Sequence, residues 1–157
     1  MKFLLNKDLE YTSLLRNLMA GVVFALFFYF ILDVVLHAYV LGLDVTTLST
    51  TLFGNPDEFI EPILLDTLLL QVHIDLFMSL FSIMIVASIY IRLHSKKVMT
   101  KWLVHALFIL GLLTPIFLMV AYFTNVWFIT IWLVTFIVGH LLAMWMSLLI
   151  LKRLILK

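Results

Sequence analysis

The chain has 157 residues, of which 65% are hydrophobic and 12% charged, with a net charge of +1 and no cysteine. So little polar surface cannot cover a water-soluble globule, and a mean hydropathy of +1.21 requires solvation by lipid. The missing cysteines exclude disulfides, thiolate metal sites, iron-sulfur clusters and c-type haem attachment, and the chain carries no phosphate loop, nucleophile motif or nucleic-acid signature.

Residues 1–16 mix Phe3, Leu4, Leu5 and Leu9 with Lys7, Asp8 and Glu10, which suits a short helix on the membrane surface. The apolar stretch that follows is about twice as long as a signal-peptide core, lacks a small-residue cleavage site and ends in Asp33 and His37, so it reads as a retained span. Crossing a hydrocarbon core of about 30 Å takes roughly 20 helical residues. Four runs meet that length, at about 18–41, 63–91, 102–123 and 126–151. The predicted fold is an all-α integral membrane protein, a single domain over 1–157. It is an up-down bundle of four transmembrane helices with a short interfacial helix in the outer loop, 42–62.

In that loop Asp44 can cap a short helix in which Val45, Leu48, Leu52 and Phe53 recur at helical spacing, with Gly54 as its stop. Asn55-Pro56-Asp57-Glu58 has the pattern of a further helix start, and Pro62 marks a kink or second start for span two. A very short turn near Thr124-Asn125 makes spans three and four antiparallel neighbours. Pro115 removes the donor for the Gly111 carbonyl in span three. Trp102 and Trp127 suit the two aromatic belts.

All ten Lys and Arg fall before span one, between spans two and three, or after span four. An up-down path puts these places on one side, which the positive-inside rule makes cytoplasmic. Both termini are then expected inside a plasma membrane of the bacterial inner-membrane kind. The outer side carries only acidic charge: Asp44, Asp57, Glu58, Glu61 and Asp66. These read either as a solvated loop or as a negative funnel that concentrates cations.

Ionisable side chains inside hydrocarbon are expensive and mark function by default. At about 1.5 Å per residue, Asp33 and His37 stand about 25 and 31 Å above Arg16, while Asp75 and His73 stand about 25 and 28 Å above Arg92. Asp33, His37, His73 and Asp75 are therefore the expected ligands of a divalent cation such as Zn, Fe, Mn or Cu. His73 and Asp75 point about 200° apart on a regular helix, which gives span two a second polar face of Gln71, Asp75, Ser79 and Ser82. A partner subunit or second copy is one expected occupant of the Asp75/Ser79/Ser82 face.

His105 and His140 lie lower, about 6 Å above Lys101 and about 18 Å above Lys152. A stripe of Gly139, Ala143 and Ser147 beside His140 turns it toward the bundle. Each histidine also has a plainer reading as a side chain bonded to the next helix, and His94 reads as a solvated loop residue.

Two further functions compete with the metal site. One is a membrane cytochrome subunit holding b-type haem through His105 and His140, with His37 and His73. Anionic propionates would be repelled in the outer slab, which lacks Lys and Arg and holds Asp33 and Asp75. The other is a proton or ion pathway along the histidine ladder, or a structural subunit of a larger membrane complex. No catalytic residue can be named.

Overall fold

The computed structural model describes residues 13–95 and 98–156, and its elements there are helices without strands. Four are long and apolar enough to cross a membrane: α1 (Ser13–Val40), α3 (Leu65–His94), α4 (Val98–Phe123) and α5 (Val126–Ile155). The expected interfacial helix at the N-terminus falls largely outside the described residues, and Ser13 to Arg16 already form the first turn of α1. All four helices outrun their predicted spans at the end that carries the basic residues, because hydrophobicity marks only the part in lipid. The helical hydrogen-bond ladder continues through Arg92, Lys101 and Lys152.

The outer loop is built as its sequence specifies up to residue 54. In α2 (Val45–Phe53) the Asp44 carboxylate accepts from the Thr47 N–H at 2.8 Å and from the Thr46 hydroxyl. Gly42 and Gly54 end α1 and α2 with φ of 94° and 78°, a region in which only glycine rests without strain. A Cβ at Gly42 would also lie 2.6 Å from Thr47 Cγ2.

The second helix start fails. Asn55 caps only a 3₁₀ turn, Pro56–Glu58, and Phe59 then turns left-handed at φ 55°. Proline at 62 removes the N–H that would bond the Glu58 carbonyl and biases Glu61 away from helix. The chain therefore stays irregular until α3 begins at Leu65.

α5 is the hub of the bundle, packing against α1, α3 and α4 and beneath α2. In a bilayer, helices associate mainly through close packing and interhelical hydrogen bonds. Small residues make this packing tight: a Cβ at Gly111 would lie 2.2 Å from Ile83 Cδ1, and one at Gly139 would lie 3.5 Å from Leu110 Cβ. α1 leans on α5 and meets α3 at only a few positions. The turn between α4 and α5 is closed by Asn125, whose side chain accepts from the Trp127 N–H at 3.1 Å.

Two apolar cores result. The inner one gathers Val23, Phe30, Ile83, Val86, Tyr90, Met146 and Ile150. The outer one gathers Leu41, Leu48, Leu52, Leu68, Leu118, Ile129, Trp132 and Phe136. α2 caps the second core by burying Leu48 and Leu52 while Thr46 and Thr47 stay exposed.

Candidate cation centre

A layer of polar side chains lies between the two cores. Asp33 and His37 are one turn apart on α1 and share its inward face. The His37 ring is 2% exposed. Its Nδ1–H donates to the Asp33 main-chain carbonyl at 2.8 Å, which turns Nε2 toward α3. There Nε2 lies 3.0 Å from Asp75 Oδ2 and 3.4 Å from the Gln71 amide nitrogen. The Gln71 amide donates to the other Asp75 oxygen at 2.8 Å, so that carboxyl is held from both sides.

His140 repeats the arrangement from α5. Its Nδ1–H donates to the Phe136 carbonyl at 2.9 Å, and Nε2 meets Asp33 Oδ2 at 2.8 Å. A carbonyl can only accept, so both histidines carry hydrogen on Nδ1, and each Nε2 stands at hydrogen-bond distance from a carboxyl oxygen. Such a pair satisfies both partners without leaving an unpaired charge in the interior. The Phe136 ring lies between the two imidazoles, with centroids 4.6 Å from His37 and 4.2 Å from His140. Trp132 and Phe30 close the sides.

One ligand atom from each of Asp33, His37 and Asp75 lies within 4.8 Å of the others. These three of the four expected ligands are brought together and the fourth is not. His73 is exposed on the opposite face of α3, because the 200° between it and Asp75 is not relieved by any unwinding of that helix. The residues of the Asp75/Ser79/Ser82 face turn toward the bundle. Asp75 bonds α1, Ser79 lines the interior, and Ser82 is buried within the bundle.

His140 belongs to the outer layer and not to a pair with His105. Charged residues are soft depth marks because Lys and Arg stems snorkel over several ångströms, and α5 continues past Lys152 to Ile155. The offset of about 7 Å counted between His140 and Asp33 was therefore an offset of baselines. His105 is exposed, with its Nδ1–H bonded to the Lys101 carbonyl at 2.7 Å, and does not face His140. His94 is also corrected: it ends α3 buried, stacked on Tyr90 with centroids 4.4 Å apart, and its carbonyl accepts from the Thr100 hydroxyl.

The acidic residues of the outer loop, Asp44, Asp57, Glu58, Glu61 and Asp66, are all exposed. Asp44 and Asp66 accept main-chain N–H groups, of Thr47 and Thr67. The outer apolar core stands between this loop and the polar layer. The thread from Gln71 to His140 was legible in the sequence only as separate residues. Phe136 and Trp132, which wall the histidines, carried no signal that set them apart from other aromatic residues.

Beside the polar layer is a cavity of about 30 Å³. Its lining includes Asp33, His37, Asp75 and His140 together with Ser79, Gly111, Thr114, Pro115 and Thr135.

A bundle of four apolar spans around a buried Asp/His layer defines an integral membrane protein with a polar centre. More particularly, the chain belongs to the Aq_1264_TM family, a transmembrane helical domain whose family model matches residues 42–157. The match takes in Asp75 and His140 and begins after Asp33 and His37. No curated protein and no solved structure matches the chain.

Proposed function

We propose that this membrane protein binds a divalent transition-metal ion within its helix bundle, with Asp33, His37 and Asp75 as ligands and His140 orienting Asp33. The observation that carries the reading is the convergence of one imidazole and two carboxyls, within 4.8 Å of one another, inside the helix bundle. Ionisable groups are costly there and three seldom collect without a cation to hold. A nitrogen and oxygen donor set without thiolate suits Zn, Fe, Mn or Cu. His140 then acts as an outer partner of a metal-ligating carboxylate, a role that commonly fixes ligand orientation. The basic residues at one end of the bundle support a cytoplasmic location for both termini, in a plasma membrane.

A second reading, a proton-carrying site, is favoured by the chain of contacts in which each Nε2 meets a carboxyl on another helix. Haem is the weaker alternative, since His105 and His73 face outward and His140 is held by Asp33.

Elemental analysis and a visible spectrum of protein purified in detergent without chelator test all three. Stoichiometric metal that is lost in His37→Ala and Asp75→Ala is the expected result. Metal retained in both variants, or none in the parent protein, rejects the site. A Soret band would replace it with haem, and proton flux in metal-free liposomes would favour the proton site.

A further inference from the structure

The lining of the cavity beside the polar layer combines acceptor groups with the candidate cation ligands. Thr114 donates its hydroxyl proton to the Leu110 carbonyl at 2.7 Å. Thr135 spends its own on the carbonyls of Ile131 and Trp132, at 2.9 and 3.0 Å. Both hydroxyl protons are thus turned back into their own helices, and only oxygen lone pairs remain for the cavity. Gly111 has only main chain with which to line the space, and Pro115 carries no N–H to bond the Gly111 carbonyl. These groups of α4 and α5 therefore offer acceptors in the same cavity as the cation ligands.

We infer that the cavity is a ligand subsite for water, which donates its two protons to acceptors among the Thr114, Thr135 and Gly111 oxygens and turns a lone pair to the cation centre. The inference rests on the metal reading above and specifies what completes the metal's coordination. About 30 Å³ is ample, since one water needs roughly 10–15 Å³ and two to four polar partners. Acceptors of this kind favour a small protic ligand. They give no hydrogen bond to an aprotic one of the same size, such as carbon monoxide.

The test uses full-length protein in detergent, loaded with one equivalent of Mn(II) and read by electron spin-echo or electron-nuclear double resonance in H₂O and D₂O. A coupling to exchangeable deuterons at coordination distance is expected. Ala143→Leu, which fills the cavity from α5, should keep the manganese and lose that coupling. Thr114→Val removes one acceptor with little change of shape, and should weaken the coupling even if Ala143→Leu fails to fold. Bound manganese with no coordinated water, or a coupling indifferent to both substitutions, overturns the inference and leaves the metal site standing. Failure to bind manganese in the parent protein, or binding unchanged in His37→Ala, overturns both.

Discussion

At the residue scale, the main feature is that two histidines are oriented by the same local device. Each gives Nδ1–H to the carbonyl four residues earlier on its own helix, leaving Nε2 for a carboxyl on another helix. This makes His140 testable as a positioning residue. His140→Ala should lower metal affinity about 10–100-fold without abolishing binding at saturation, read by metal titration; unchanged affinity would mean that Asp33 needs no such partner. Asp44 gives a separate, pH-dependent prediction. The hydroxyl of Thr46 first, then that of Thr47 and the Thr47 N–H, hold its carboxyl at about 2, below the ordinary 3.8. A depressed folded value means that the cap contributes stability above the ordinary carboxyl range and loses it as pH falls from about 4 toward 2. Hydrogen exchange of the first α2 amides, corrected for intrinsic rate, should show protection lost in that window. Asp44→Ala should show low protection at every pH.

At the scale of elements, α2 and α5 do more than their sequences advertise. α2 is only nine residues long, too short to persist as an isolated helix, and it is held by the outer core through Leu48 and Leu52. Leu48→Ala should therefore cost about 2–5 kcal/mol, seen as a lower melting temperature in detergent. It should also speed exchange of the labile histidine protons beneath, because the cap separates the acidic loop from His37. A variant that melts lower while those protons exchange as before would show that α2 supports the bundle without sealing it. The hub position of α5 follows from its small-residue stripe. Gly139, Ala143 and Ser147 were legible as a close-packing face, and Leu110 of α4 is the neighbour that uses it. The 3₁₀ turn after α2 was misread because the Asn55-Pro56 start signal is local, whereas Pro62, six residues later, withdraws the donors needed to extend it.

For the whole molecule, α1 and α5 run in opposite directions and so do α3 and α4, which places Arg16, Arg92, Lys101, Lys152 and Arg153 at one end. The cysteine-free chain makes the orientation directly measurable. A cysteine at Glu58 should react with a membrane-impermeant thiol reagent in intact cells, whereas one at Lys101 should react only after permeabilisation; the reverse pattern would invert the topology. The membrane class, the four spans and the capped α2 were determined by the sequence alone. Each depends on hydropathy, length or capping within a few residues, and none needs a distant neighbour. The partners within the polar layer were decided only by the tertiary structure. Axial counting put Asp33, His37 and Asp75 at one depth, but a count along each helix leaves its rotation and absolute height free. Packing around α5 fixed both. It turned His73 and His105 outward and brought His140 onto Asp33.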